Sequence, residues 1–410
     1  MGAAVALAPT AAAQVPCPLP DKPDQVAVAL AQTNAVRLAD ATLPLDSADS
    51  ARIEDERRRE ACKNITTAPK IIAVQPGITV VATAGFMGAI TSRLDSVRGE
   101  MGAAGAVTTS AGLAPDGLMG LGAGARTRTP PPTPASPLTI YAMGTFLGGS
   151  RADTPSLFGL DYDASSGTVG IEYSVNRNLI LGLAGNYTAT NADVTGGATV
   201  DVSAIQGAAY LSYATRQWFL DLLVGYGSHD IDLARPGLPD PLRGSTSANA
   251  FALAARTGYL FDFGGLRAGP IAGLSYVHSR VDGYTEKGDP SLALTVSALT
   301  LDSFAGSVGI RFLAPFRAGG NIVVPYLNIT LEHQFGDLDS ALAANLASAP
   351  ALPPILSSFT AFDARNFGKV EGGITLELGP ELSASISGAT TFAREESHDF
   401  RVSAGLNYRF

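Results

Sequence analysis

The amino-acid sequence predicts an all-β protein, a twelve-stranded antiparallel transmembrane β-barrel with a preceding α-helix in its lumen. Three observations carry that prediction. The chain is apolar without being continuously apolar: 46% of its 410 residues are hydrophobic and 16% are charged, against about 25% charged in soluble domains. Its mean hydropathy is +0.18, yet no unbroken apolar run of about 18 residues marks a membrane-spanning helix. From Leu138 to Phe410 the hydrophobicity instead alternates with period two, as it must where successive side chains face lipid and lumen in turn. The connections between these segments are short and long by turns, the two-sided plan of an outer-membrane barrel.

The chain begins "MGAAVALAPTAAAQVPCP". Residues 3–13 are small and apolar and end in an Ala-x-Ala-like cleavage site after Ala13, but no Lys or Arg precedes them. Residues 1–13 therefore read either as a partial signal peptide or as an Ala-rich tail. Residues 14–76 form a short N-terminal region. Its run "ARIEDERRREACKN" at 51–64 alternates acids and bases as a solvated helix does. The two cysteines, Cys17 and Cys62, lie here; an oxidising compartment permits a disulfide between them, and two separate thiols are the other reading.

Residues 77–101, "GITVVATAGFMGAITSRLDSVRGEM", predict a helix. Met87, Ile90, Leu94 and Val97 recur at three- and four-residue steps, and Gly102 is a reasonable stop. Ala82, Ala84, Gly85, Gly88 and Ala89 keep it thin. Residues 102–137 are rich in Gly and Ala, then in Pro ("TRTPPPTPASP"), and read as a linker, flexible first and extended last.

The barrel then spans 138–410, with strands expected near 138–149, 164–175, 178–192, 198–214, 216–233, 246–262, 265–282, 292–312, 320–335, 362–378, 381–392 and 398–410. In the fifth, Trp218, Leu220, Leu222, Val224 and Tyr226 share one face and Asp221, Leu223, Gly225, Gly227 and His229 the other. In the ninth, Val323, Pro325, Leu327, Ile329 and Leu331 oppose Tyr326, Asn328, Thr330, Glu332 and Gln334. These strands exceed the usual length in a soluble sandwich, where turns come every 8–12 residues or so. Connections such as "VNRN", "TRQ" and "GPE" are short, whereas those near 150–163, 234–245, 283–291 and 336–361 are long. An even strand number closes the sheet and leaves no edge in lipid. Tyr187, Tyr226, Tyr259, Tyr276 and Tyr408 fall near the ends of apolar stripes, as an interfacial girdle requires.

If the greasy face meets lipid, the lumen receives Glu172, Asp221, Arg256, Arg267, Arg311, Glu332, Glu371, Glu377, Arg401 and Arg409. An Arg or Lys on the lipid face costs roughly 2–4 kcal/mol at mid-depth, so the absence of charge from the apolar stripes supports this phase. The helix brings Arg93, Asp95, Arg98 and Glu100. Two arrangements follow: the helix plugs the pore and pairs with inward charges, or the pore is wet and the helix lies elsewhere.

The formal net charge of −9 leaves no basic stripe to follow phosphates, which argues against nucleic-acid binding. No Gly-x-Ser-x-Gly elbow occurs. His229 and His278 stand beside Ser or Asp, but neighbours on a strand face opposite ways and form no dyad. No metal-ligand spacing or cofactor motif is present. The sequence therefore predicts no enzyme, the rival being a hydrolase assembled from several strands at the rim.

The stretch "SGTVGIEYSVNRNLILGLAGNYTATNADV" (166–194) resembles the second and third strands of the autotransporter (type V secretion) β-barrel family, at Gly170, Glu172, Tyr173, Gly182 and Tyr187. "FMGAITSRLDSVRG" is similar to the helix threading that family's barrel. The ending "GLNYRF" resembles its terminal strand, so Phe410, with Tyr408 and Phe400, is expected to carry the barrel-assembly signal. The resemblance implies a barrel that inserts in the outer membrane and supports surface exposure of its N-terminal passenger. The partners implied are outer-membrane lipid and lipopolysaccharide, the barrel assembly machinery and periplasmic chaperones, with the protein a monomer. Three departures stand out. The family usually has Asp where Glu172 stands, the passenger is short, and the gap before the first strand is long. The helix lacks Asn, so no cleavage between paired Asn residues is expected. A porin-like or adhesin-like barrel without a transported passenger is the alternative.

Overall fold

A computed structural model describes residues 64, 67–109, 137–153, 158–237, 240–290, 292–318, 321–335, 339–351, 354–360, 364–394 and 397–410. The proposed segment 1–13, both cysteines and most of the 102–137 linker lie outside the described residues.

Twelve long strands form the barrel: β1 (Leu138–Arg151), β2 (Leu160–Ser174), β3 (Leu179–Val194), β4 (Ala198–Ala214), β5 (Trp218–Arg235), β6 (Leu242–Tyr259), β7 (Arg267–Val281), β8 (Leu299–Leu313), β9 (Asn321–Phe335), β10 (Asn366–Glu377), β11 (Leu382–Phe392) and β12 (Ser397–Arg409). Each pairs antiparallel with the next. β12 pairs back onto β1 from Thr139↔Arg409 to Arg151↔Ser397, which closes the sheet. Closure satisfies every ladder hydrogen bond without water, the condition for crossing lipid.

The strands reach well beyond the lipid, and β5 shows how the sequence arranges this. In its first half Trp218, Leu222, Val224 and Tyr226 face out, while Asp221 and His229 are buried inside. Past Tyr226 the greasy face changes sides. Ser228, Asp230 and Asp232 now face out, and Ile231 and Leu233 are buried within. β4 does the same, with Asp201 outside and Val200 and Val202 inside. The lower half is built for lipid, the upper half for water.

Aromatic residues mark the two membrane boundaries. Tyr173, Tyr213, Trp218, Tyr259 and Tyr408 stand exposed near the short turns, and Phe146, Tyr187, Tyr226, Phe251, Phe304 and Phe400 form a second ring. Trp218 to Tyr226, Phe251 to Tyr259 and Phe400 to Tyr408 are each eight residues apart. At about 3.4 Å per residue and a tilt near 40°, that separates the rings by roughly 20 Å along the barrel axis, close to the apolar band of such barrels.

The short turns carry local chemistry. Asn176 Oδ1 accepts from the backbone N–H of Asn178 at 2.8 Å and of Leu179 at 3.0 Å, an Asx-type turn. On the other side two of the long connections contribute strands. A four-stranded sheet, made of Tyr284–Thr285, Leu294–Val296, Asp339–Leu346 and Ile355–Thr360, lies over the mouth. Residues 292–296 therefore belong to this cap and β8 begins at Leu299, later than the alternation suggested. The apolar Leu292, Leu294 and Val296 alternate because they cover the opening, where all three are buried.

One helix, α1 (Gln75–Thr109), runs through the barrel. It continues beyond Gly102 because the next residues, "AAGAV", are dominated by alanine, the best helix former. Residues 67–72 are also helical, and a turn at Ala73–Val74 separates them from α1. Pro76 explains the break: it has no N–H to offer the Ile72 carbonyl, but suits the first turn of a new helix. By length and composition the stretch Thr67–Arg98 could cross a membrane. It lies inside the barrel instead, and most of its faces are buried: Val80, Ala82, Phe86 and Ala89 as well as Met87, Ile90, Leu94 and Val97.

Candidate functional site

The lumen and its helix are the centre of this molecule. α1 enters at the capped end, where Gln75 Nε2 donates to the Tyr284 hydroxyl at 3.0 Å. It leaves at the short-turn end, where Arg98 Nη1 reaches Asp221, three residues into β5, at 2.6 Å. At about 1.5 Å per residue its 35 residues span about 50 Å.

Toward the short turns the helix is clamped by charge. Arg93 donates from Nε and Nη2 to the two oxygens of Glu172 at 3.2 and 2.8 Å. Tyr210 donates to the same carboxylate at 3.0 Å. Gly182 makes room for this tyrosine, since a Cβ there would overlap the phenol ring. Two residues along α1, Asp95 is held by Arg98, Arg256 and Arg311 and accepts from Asn328 Nδ2 at 2.9 Å. Asp221 shares this cluster, taking Arg98 and, at 3.1 Å, Arg256 Nη2. Three guanidiniums surround two carboxylates, and the Phe219 ring lies 4.2 Å from the Arg98 guanidinium carbon. The stacking spreads part of the excess positive charge over an aromatic face.

The barrel's register gathers these groups. Arg311, Asn328, Glu371, Ala389 and Arg401 stand on β8 to β12 as one continuous rung. At its far end Arg401 Nη2 meets Glu371 Oε1 at 3.0 Å, and Ser92 of α1 donates to that oxygen at 2.5 Å. Higher in the lumen the contacts become neutral. Thr83 meets Gln206 Nε2 at 3.2 Å, and Gln206 Oε1 accepts from Asn186 at 3.0 Å.

At the capped end the lumen is filled by apolar side chains. Ile71, Ile72, Val74 and Ile78 form one apolar cluster with Val200, Leu233, Leu294 and Leu342, among others. A buried ion pair ties the barrel to the cap: Arg235 Nε and Nη2 donate to Glu286 at 2.7 and 2.6 Å. The Leu294 N–H adds a third bond to Glu286 at 2.9 Å. Burial in this cluster, with the Glu286 carboxylate nearby, pushes the Tyr284 hydroxyl pKa well up.

Six of the ten inward charges thus converge on the helix or its immediate partners: Glu172, Asp221, Arg256, Arg311, Glu371 and Arg401. Four do not. Arg267 bonds the Arg216 carbonyl at the short-turn rim. Glu332 accepts from Thr330 at 2.7 Å, away from the clamp. Glu377 and Arg409 stand half-buried near the ends of β10 and β12. On the helix Arg93, Asp95 and Arg98 engage the wall, while the Glu100 side chain lies outside the described residues. Phe400, Tyr408 and Phe410 face outward, with the Tyr408 and Phe410 rings 5.1 Å apart.

Sequence reading missed Arg235, Glu286, Tyr210 and Ser92. Arg235 continues the inward phase of His229, Ile231 and Leu233, two residues beyond the expected strand end at 233. Ser92 and Tyr210 carried no such signal, because neither is charged. As to the histidines, His398 Nδ1 lies 3.0 Å from Ser150 Oγ across β1 and β12. His278 meets Asp302 at 2.9 Å. These are separate pairs, and among the described residues no carboxylate bonds His398.

The autotransporter β-domain family model matches residues 142–389. Among solved structures, the translocator domain of autotransporter NalP from Neisseria meningitidis superposes with a TM-score of 0.54 at 17% identity, covering 67% of this chain and 88% of that one. The β-domain of the Bordetella autotransporter BrkA gives 0.51 at 17% identity, covering 67% and 100%. These two likenesses bear on the fold alone. Outer membrane protein A of Rickettsia conorii is 24% identical over 265 residues, 60% of this chain and 13% of that protein. The chain spans less than half the length of the curated relatives it matches.

Proposed function

Because the chain belongs to the autotransporter β-domain family, we propose that it works as a translocator barrel that keeps its own N-terminal segment at the cell surface. The barrel resides in the bacterial outer membrane. The observation that carries the proposal is the direction of α1. Its start lies under the extracellular cap and Arg98 near the short periplasmic turns, so the helix runs from the outside inward, the direction that surface exposure of an N-terminal segment requires. Asn64 is tied at the capped end, its Oδ1 accepting from Arg235 Nη1 at 3.0 Å. The charge clamp and the apolar contacts under the cap then hold α1 in the lumen once the segment has passed.

An epitope tag near residue 30 tests this. Protease added to intact cells is expected to remove the tag while the barrel stays inserted. A tag protected in cells with a correctly inserted barrel overturns the proposal and leaves a porin-like or adhesin-like barrel.

For assembly, the reading gives Phe400, Tyr408 and Phe410 the signal role. They lie on the lipid face of the strand that closes the barrel, where an assembly factor can touch them before closure. Lipopolysaccharide and periplasmic chaperones complete the proposed partners, and no reaction is assigned to the barrel. Phe410→Ala is expected to lower the inserted fraction and leave export across the inner membrane unchanged.

A further inference from the structure

We propose that the lumen keeps a hydrated ion path beside α1, closed at a single point by the Arg401–Glu371 pair where it rests on Gly88. The proposal does not depend on export of the N-terminal segment.

The helix is off-centre. It packs against β4, β6, β7, β9 and β10 and stands off β11 and β12. On the open side is a cavity of about 340 Å³, room for on the order of ten waters at about 30 Å³ each. Toward it α1 turns Gly77, Ile78, Val81, Ala84 and Gly85. The facing wall carries Glu332, Lys369, Asp399 and Arg401. Most of the remaining lining is apolar, Leu147, Leu160 and Phe367 among it, but these charged groups supply the polar partners that a buried water needs. The cavity's upper end reaches Arg151 and Ser397, at the extracellular ends of β1 and β12. Its floor is Arg401.

Below that floor the same wall continues with hydroxyls. The inward phase set by Ala389, opposite Glu371 and Arg401, continues at Ser387, Ser385 and Ser383. Ser387 and Ser385 are half-exposed although they face the lumen, so open space adjoins them. Ser403 and Thr145, 3.0 Å apart through their hydroxyls, line the neighbouring strands. These hydroxyls mark the course of the proposed path toward the periplasm, and among the described residues the Arg401–Glu371 pair stands between them and the cavity.

This pair spans the gap. From β12 the Arg401 guanidinium reaches across to α1 and lies on Gly88. A Cβ at position 88 would overlap Arg401 Nη1, so any larger residue there displaces the guanidinium from this position. Glu371 and Ser92 then hold it, Arg401 Nη2 reaching Ser92 Oγ at 3.1 Å. Two variants open it from opposite sides: Arg401→Ser removes the bar, and Gly88→Ala removes its seat while keeping every charge.

The test is single-channel recording of the full chain in planar bilayers in potassium chloride, with insertion checked by heat-dependent gel mobility. The intact chain is expected to conduct weakly. Arg401→Ser and Gly88→Ala should each raise the conductance several-fold, well short of a barrel lacking residues 77–101. With both native cysteines changed to serine, Ser387→Cys in the Arg401→Ser background should lose most of its current on reaction with a charged methanethiosulfonate. The proposal is overturned if neither variant conducts above the intact chain, if the conductance equals that of the helix-free barrel, or if modification at 387 leaves the current unchanged.

Discussion

Arg93 on α1 and Glu172 on β2 form a two-point ion pair in which neither side chain is more than 3% exposed. Such a pair contributes little over a well-packed apolar one, but breaking it by removing one partner costs about 3–5 kcal/mol, because the other charge stays buried. Glu172→Gln is therefore expected to lower the denaturant midpoint of the folded barrel substantially. A double variant, Arg93→Met with Glu172→Leu, should recover most of the loss. A double variant as unstable as the single would mean that Glu172 acts through Tyr210 rather than through the pair.

Asp95 is a more connected anchor. It meets three arginines and Asn328, so Asp95→Asn leaves Arg98, Arg256 and Arg311 facing one another with Asp221 as the nearest remaining carboxylate. The expected loss is at least that of a broken buried pair, about 3–5 kcal/mol, with the helix released and the conductance approaching that of a barrel without residues 77–101. A stable, closed Asp95→Asn barrel would show that Asp221 alone can balance the cluster.

The upper limit of the lipid on β5 can be located by charge. Leu222 and Asp230 share the outward face, eight residues apart, on either side of Tyr226. Leu222→Arg is expected to cost about 2–4 kcal/mol and Asp230→Arg about 0–1 kcal/mol, as for mid-depth and interfacial positions of membrane barrels. Equilibrium unfolding from lipid bilayers measures both. Similar costs at the two positions would place the boundary above Asp230.

That boundary also separates what was legible in the sequence from what was not. Below Tyr226 one rule holds, greasy out and polar in, so twelve strands and their phase follow from counting. Above it Ile231 and Leu233 stay apolar but on the opposite face, and a period-two reading sees no change because the period is the same. The cap was hidden for a related reason. Leu292, Leu294 and Val296 look like the start of β8, since alternation does not say which sheet a strand joins. The clamp was half visible: charges on inward positions mark its members, but the partner of each depends on the depth of α1, which no local pattern records. Asp95 meets Arg311 across 216 residues. The helix end was misread because one glycine is a weak stop amid alanines.

The cap offers the sharpest test of how the extracellular end is held. Glu286 accepts two bonds from Arg235 and one from the Leu294 N–H, and Arg235 Nη2 also donates to the Leu292 carbonyl at 3.0 Å. The pair thus fixes the start of the cap sheet to the top of β5. Around it Leu294, Leu342 and Ile355 supply apolar burial, which is not directional and would tolerate a shifted sheet. If the pair sets the position, Arg235→Met leaves the Glu286 carboxylate buried without its partner, and the cap opens. Protease added to intact cells should then cut within 283–298 or 339–360, with the barrel still inserted and heat-modifiable. Adding Glu286→Leu to Arg235→Met should restore resistance, because it removes the stranded charge. If Arg235→Met resists protease like the unaltered chain, apolar burial alone holds the cap, and the ion pair serves only to satisfy groups the fold has buried.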